Sequence, residues 1–375
     1  MTSDIDPKHD KKMDETFGKH VLRKLAKKEH LTFQETEKVI LNLKDGNCTD
    51  TFSAAFLMSL ILNGENEEEL SAIIDVIRSS SNRITPQTSV PLVDNCGTGG
   101  DMLNTFNIST AAALVAGSSK KIAVAKHGNK SSSGVSGSAD FFERIGYPIQ
   151  DNKVDTHVKS IEKHGLGFLY APVFHPSLKS VIKLRKELGI RTVFNTAGPL
   201  CNPCTNLHSQ VIGLSNPNDL DLIPKLIPIL GLNRALIIRS QDGMDELSIT
   251  STNTVKYVIL EDGRYNTRTE ILDPVSLGLT KCSISDIAVK NKNDSINQTL
   301  RVVYGCLPNS PKENMVLLNS AATIVAGNGE ISFEDALSES LDCIRNGRPQ
   351  LLLRNLIEDV GDISKLEIAE KTLDL

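Results

Sequence analysis

From residue 90 onward the chain repeats one pattern: a short run of β-branched and aliphatic residues, a loop of glycine, serine and asparagine, then a stretch with helical spacing. Consecutive βαβ units read this way, because parallel strands need a crossover, normally a helix, to bring the chain back to the same edge. The pattern commits this region to a mostly parallel sheet flanked by helices, with residues 90–93, 122–125, 210–214 and 235–239 as strands. Residues 15–80 are different. Their apolar positions recur at helical intervals, as in Val21, Leu22 and Leu25, then Val39, Ile40 and Leu43, then Phe52, Ala55, Phe56 and Leu60. Thr32 with Glu35, and Asn66 with Glu69, have the spacing of capping boxes, in which cap oxygen and later carboxylate satisfy amides that a helix start leaves open. Four short helices by residue 80 are expected. The tail 313–357 returns to helical spacing, whereas the polar stretch 290–297 reads as a surface loop.

The chain has 375 residues, 39% apolar and 23% charged, enough for a sizeable core and unlike a disordered or fibrous protein. Its formal net charge of −5 gives no general attraction to nucleic acid or an anionic membrane. No apolar run approaches the roughly 20 residues of a membrane span. Residues 1–14 read as a flexible, solvated tail, without the marks of a signal or transit peptide. Seven scattered cysteines suit a reducing compartment, so a cytoplasmic location is expected.

Two loops carry the chemistry. Asp94-Asn-Cys-Gly97-Thr98-Gly99-Gly100-Asp101 follows a strand, and Asn107-Ile-Ser109-Thr110 then opens an alanine-rich helix. Glycines let backbone amides approach an anion closely, and a helix N-terminus adds free N–H groups and a positive dipole end. Ser109 and Thr110 suit a helix cap or a metal ligand, and a plain structural turn remains the bland alternative. The spacing matches neither a dinucleotide fingerprint nor a Walker A loop. The second loop, Lys126-His127-Gly128-Asn129-Lys130-Ser131-Ser132-Ser133-Gly134-Val135-Ser136-Gly137-Ser138, also lies between a strand and a helix. Adjacent anion cradles at neighbouring strand ends suit a ligand with several phosphates.

Winding residues 177–189 as a helix puts Leu178, Val181, Ile182 and Leu188 on one stripe, with Arg185 near its middle. A cation there needs either an internal salt bridge or a carboxylate ligand. Asp242-Gly-Met-Asp245-Glu246 follows another strand. Adjacent carboxylates are either an exposed acidic turn or hard oxygen ligands for Mg²⁺ shared with substrate phosphates. Cys201 and Cys204 lack the second pair that a zinc site wants.

In this order, GTGGD (97–101), NIST (107–110), KHGN (126–129), SGSAD ending at Asp140, FNxxGPLxNP from Phe194 and DGxDE from Asp242 resemble the anthranilate phosphoribosyltransferases, of the nucleoside phosphorylase-like class. The resemblance implies transfer of phosphoribosyl from phosphoribosyl diphosphate (PRPP) to the amino group of anthranilate, the second step of the tryptophan branch. By similarity, Gly97, Thr98, Gly99, Gly100, Asp101, Asn107, Ser109 and Thr110 hold diphosphate and ribose. Lys126, Gly128, Asn129, Lys130, Ser131, Ser132, Ser133, Gly134 and Ser138 embrace the phosphates. Gly97, Asn129 and Arg185 contact anthranilate, while Ser109 holds one Mg²⁺ and Asp245 with Glu246 a second.

The resemblance further implies a small helical domain, residues 15–85 plus about 172–191, and an α/β donor-binding domain, 86–171 and 192–375, with anthranilate between them. A homodimer through the helical part is expected, and no dedicated acid or base. Met102 where the family usually has Gly, Lys130 for Arg, and Gly134-Val135 for a more polar pair are departures that bear on the fine geometry of donor binding. Two other readings stand beside this one. A pyrimidine nucleoside phosphorylase would not need Arg185 or the acidic pair, and a nucleic-acid-binding relative wants a basic face that this acidic chain lacks.

Overall fold

The computed structural model describes residues 12–131, 134–151 and 153–375. The chain separates into two compact units, Met1–Ser81 with His175–Ala197 and Asn82–Phe174 with Gly198–Leu375. The first is all helical: α1 (Glu15–Ala26), α2 (Phe33–Lys44), α3 (Asp50–Asn63), α4 (Glu67–Ser79), α9 (Lys179–Leu188) and α10 (Val193–Ala197). Both expected capping boxes form. Thr32 Oγ1 accepts from the Glu35 amide at 3.2 Å, and Glu35 accepts from the Thr32 amide at 2.9 Å. Asn66 and Glu69 make the same reciprocal pair. α9 packs on α2 and α3, and the Ser180 hydroxyl donates to the Leu43 carbonyl at 3.0 Å, satisfying an open C-terminal group of α2.

The expected stripe on α9 needs one correction. The helix starts at Lys179, its buried residues are Val181 and Leu184, and Ile182 is exposed. Arg185 therefore follows Leu184 at the border of the buried face instead of lying in its middle.

The second unit holds a seven-stranded sheet: β1 (Leu92–Gly97), β2 (Ala123–Gly128), β3 (Leu166–Tyr170), β4 (Ser209–Gly213), β5 (Arg234–Ser240), β6 (Asn253–Glu261) and β7 (Arg264–Leu272). Their order is β3-β2-β1-β4-β5-β6-β7; the first five strands of that order run parallel and the last two pairings are antiparallel. Around the sheet lie α5 (Ile108–Ser118), α6 (Ser138–Arg144), α7 (Val154–His164), α8 (Ala171–Phe174), α11 (Asp219–Leu230), α12 (Ile284–Ile287), α13 (Lys292–Val303), α14 (Pro311–Gly327), α15 (Phe333–Arg345), α16 (Arg348–Val360) and α17 (Ile363–Leu373). α5 and α14 are apolar on nearly every side and accordingly buried on nearly every side, packed against each other. Among the described residues no helix is long and apolar enough to cross a membrane.

Residues 290–297 are not a surface loop as expected. α13 begins at Lys292, capped by the Asn291 side chain on the Asp294 amide at 3.0 Å. Lys292 and Asn293 at its start are exposed and Ser295 is buried but polar, so the apolar stripe of Ile296, Leu300 and Val303 shows only from the second turn on.

Strand order decides where a ligand can sit. The chain leaves β1 towards β2 on one side, and β4 later returns on the other. At such a reversal the crossovers diverge, opening a crevice beyond the carboxyl ends of the two middle strands.

Candidate active site

At that crevice the end of β1 meets the loop after β5. A Cβ on Gly97 would fall on the Asp245 carboxylate, and one on Gly213, at the end of β4, would fall on the Asp245 backbone. Two strands thus end in glycine because Asp245 is wedged against both. The glycine loop turns there through positive φ at Gly99 (66°) and Gly100 (81°), and the Gly99 amide donates to Asp245 Oδ2 at 2.6 Å. Thr98 is buried, its amide on the Gly213 carbonyl at 2.9 Å and its Oγ1 accepting from Ser215 at 3.3 Å. Met102 follows Asp101 at φ 59°, 90% exposed.

Asn107 is the N-cap of α5 without a side-chain cap bond. Its amide group instead donates to Ser136 Oγ at 3.2 Å, joining the two glycine- and serine-rich loops. The open Ser109 amide, in the first turn, donates to Glu246 Oε1 at 3.3 Å, and Thr110 is buried beside it. Lys126, expected to embrace the phosphates, is buried: its ammonium donates to the Asn95 carbonyl (2.7 Å), Asn95 Oδ1 (3.1 Å) and Ser109 Oγ (3.3 Å). Burial lowers its pKa, while Asp94, Cys96 and Glu246 pull the other way.

Beyond Lys126, Gly128 is required because a Cβ would strike Ser138 Oγ and the Phe168 ring. Asn129 Oδ1 accepts from the Lys130 amide at 2.8 Å, and the Lys130 ammonium pairs with Glu143 at 2.8 Å. Ser131 Oγ donates to the Gly134 carbonyl at 2.7 Å. Ser132 and Ser133 lie outside the described residues.

Three carboxylates converge on the crevice. Burial, then the neighbouring Asp245, pushes Asp101 up to about 7. Burial, then Asp245 and Asp101, raises Glu246 well above the usual range, against the pull of the Ser109 amide and Lys126. Asp242, by contrast, is structural: burial is outweighed by bonds from Ser248, Thr250 and the Met244 amide, and its pKa is lowered. Crowded oxygen donors that resist ionisation are what a hard divalent cation relieves. Among the described residues no three His, Cys, Asp or Glu side chains close into a complete metal cage, so a cation here would take further oxygens from substrate or water. Asp101, Asp245, Glu246 and the Ser109 hydroxyl fit Mg²⁺ in chemistry. A cavity of about 20 Å³, room for one water, lies between Gly97, Ser109, Asp245, Glu246, Asn319 and Thr323.

The sequence motifs assign no role to Asn319, or to Asp94 at the start of the first loop motif. From α14, Asn319 accepts from the Leu247 amide at 3.0 Å and donates to the Leu247 carbonyl at 2.8 Å, fixing the backbone next to Glu246. Asp94, in β1, accepts from the His127 amide of β2 at 3.1 Å and from the Gln210 side chain of β4 at 3.1 Å. A polar residue inside an otherwise apolar helix was the available signal for Asn319.

Arg185 belongs to the helical unit. One guanidinium nitrogen donates to Asn195 Oδ1 at 2.9 Å, Asn195 is itself held by the Thr192 amide at 3.0 Å, and the buried Nε has no hydrogen-bond partner among the described residues. Burial lowers its pKa, so the charge is under-solvated.

Residues 19–81 match a family described as "Glycosyl transferase family, helical bundle domain", and residues 89–350 "Glycosyl transferase family, a/b domain". A curated anthranilate phosphoribosyltransferase of Nitrosopumilus maritimus is 39% identical over 356 residues, 93% of this chain and 99% of the relative. The crystal structure of anthranilate phosphoribosyltransferase from Thermus thermophilus superposes with TM-score 0.79 at 30% identity, covering 92% of this chain and 99% of that one. The Saccharomyces cerevisiae enzyme in complex with PRPP and Mg gives TM-score 0.83 at 26% identity, covering 92% and 98%. The likeness first seen in short motifs runs through nearly the whole scaffold that holds them, and the chain belongs to the anthranilate phosphoribosyltransferase family.

Proposed function

We propose that this chain transfers phosphoribosyl from PRPP to the amino group of anthranilate, giving N-(5-phosphoribosyl)anthranilate and diphosphate, as its family does. The observation that carries the reading is the carboxylate cluster of Asp101, Asp245 and Glu246, set against a glycine loop and a helix N-terminus, in which Asp101 and Glu246 are raised in pKa by burial and by Asp245. That arrangement suits a donor with several phosphates brought in with Mg²⁺.

In this reading Gly97, Thr98, Gly99, Gly100, Asp101, Asn107, Ser109 and Thr110 line the diphosphate and ribose site, with Gly128, Asn129, Lys130, Ser131, Gly134 and Ser138 from the second loop. Asp245, Glu246 and Ser109 hold Mg²⁺, two ions per site, which when bound neutralises charge on the departing diphosphate. Lys126 orients the Ser109 hydroxyl and adds buried positive charge beneath the site. The C1–O bond to diphosphate breaks as the aniline nitrogen bonds to C1, and the nitrogen gives its proton to water. The amine is nucleophilic as it stands, so positioning and charge stabilisation carry the rate and no side chain needs to act as general base. Arg185, whose Nε has no hydrogen-bond partner among the described residues, takes the anthranilate carboxylate, and Gly97 and Asn129 are assigned to anthranilate by family resemblance. The chain works as a homodimer through the helical unit, where Leu62 of α3 is 75% exposed.

The test is loss of anthranilate fluorescence on mixing protein, anthranilate, PRPP and Mg²⁺. Loss should require all three additions; loss without PRPP, or none at all, defeats the reading. Arg185→Ala should raise KM for anthranilate about 100-fold, on the scale of one charge-assisted pair, and leave KM for PRPP near its starting value. Equal effects on both remove Arg185 from the anthranilate site.

A further inference from the structure

We infer that Lys292 is a positioning residue for the second donor loop, acting through Asp140; the inference rests on the assignment of that loop to PRPP. Asp140 sits in the first turn of α6 with 6% of its side chain accessible. One carboxylate oxygen accepts the amides of Gly137 at 2.9 Å and Ser131 at 3.3 Å, on opposite flanks of the loop. The other accepts from the Lys292 ammonium at 2.5 Å. The flanks touch: a Cβ on Gly137 would strike the Ser131 amide and the Asn129 carbonyl, and the Ala139 amide donates to that carbonyl at 3.2 Å. One carboxylate thus ties both ends of the loop together, and the cation that completes it comes from the start of α13, 152 residues further along the chain.

Two neutral amides alone are poor compensation for an ionised carboxylate this shielded. Burial pushes the Asp140 pKa up, and Lys292 with the two amides more than offsets it, holding the group below its ordinary value. Without Lys292 the carboxylate would seek water, and the loop flanks it joins would separate. Lys292 itself is half exposed and lines an open groove of about 320 Å³ with Glu143, Arg144 and Lys365. Truncating it therefore empties no core position. It touches no residue assigned to anthranilate or Mg²⁺, so its effect should fall on the donor.

The experiment compares Lys292→Met and Lys292→Arg in the full chain. Lys292→Met should raise KM for PRPP about tenfold, leave kcat and KM for anthranilate within twofold, and speed amide exchange of Ser131 and Gly137 in the ligand-free protein. Lys292→Arg should restore both readouts, and in an Asp140→Asn background Lys292→Met should add nothing further. Unchanged exchange, a parallel rise in both KM values, or failure of Arg to rescue overturns the inference. Exchange is read without substrates, so a wild-type protein that consumes no anthranilate would defeat the proposed function while leaving the clamp to stand or fall on its own readout.

Discussion

Two sets of carboxylates in this chain are driven in opposite directions. Glu35, in the helical unit, is held down to about 2: burial would raise it, but Lys24, the Thr32 amide and His20 outweigh burial. Asp101, at the end of the glycine loop, is pushed up to about 7 by burial and by Asp245, and Glu246 is raised well beyond its ordinary value. The difference lies in the company each keeps. Around Glu35 the chain supplies its own cations and amide, so the capping box is complete when the helix folds. Around Asp101 and Glu246 it supplies chiefly more carboxylate, and what completes the cluster has to arrive from solution.

The largest expected effect breaks the site side of this comparison. Asp245→Asn with Glu246→Gln keeps acceptors for the Gly99 and Ser109 amides while removing the charge. kcat/KM should fall about 1,000-fold or more, as expected when a metal-stabilised leaving group loses its ligands. The melting temperature of the metal-free protein should not fall, since the repulsion that holds Glu246 back from ionising is gone; a large fall would mean that the pair is structural.

A smaller effect concerns pH. A carboxylate whose folded pKa is raised keeps its proton up to that value, and bound cation must displace it. Mg²⁺ affinity measured by calorimetry should therefore weaken about tenfold per unit as pH drops below about 7. The same sign makes the Asp101 contribution to metal-free stability present near pH 4 and lost as pH rises through about 7. Affinity flat between pH 5 and 8 would remove Asp101 from the cation's surroundings.

The smallest effect is on the bundle. Glu35→Gln should cost about 1 kcal/mol at pH 7, after discounting for solvent screening. Because the folded pKa is depressed, that contribution is full above about 4.5 and disappears as pH falls through about 2. Denaturation of wild type and variant at both ends of that window checks it.

Local chemistry was legible in the sequence; long-range company was not. Thr32 and Asn66 announce helix starts because a cap and its partner lie within four residues. The strands β1, β2, β4 and β5 show as apolar runs because a parallel strand is covered on both faces. β6 and β7 escaped notice although Asp262-Gly263 lies between them with both φ values positive, a strong hairpin signal. β7 is nearly all exposed and carries no apolar run to mark it. The two loops proposed for the donor show in the sequence by their glycines, which mark positive φ at Gly99 and Gly100 and close approach at Gly97 and Gly128. The burial of Lys126 does not show in the sequence because its enclosing oxygens, from Asn95 and Ser109, come from another strand and a helix. The raised pKa of Asp101 has no local mark either, because its repulsion from Asp245 joins residues remote in sequence.

The helical unit is discontinuous: α9 and α10 are made only after the segment from Asn82 to Phe174 has left the ribosome. At ~5–20 residues per second, that excursion of about 90 residues delays the completion of α2 and α3 by roughly 5 to 20 s. Until Ser180 arrives, the end of α2 lacks its hydroxyl donor, and the faces of α2 and α3 that α9 covers stay open. The bundle is first in sequence yet finishes late, so a nascent chain halted before residue 175 should expose these surfaces to chaperones.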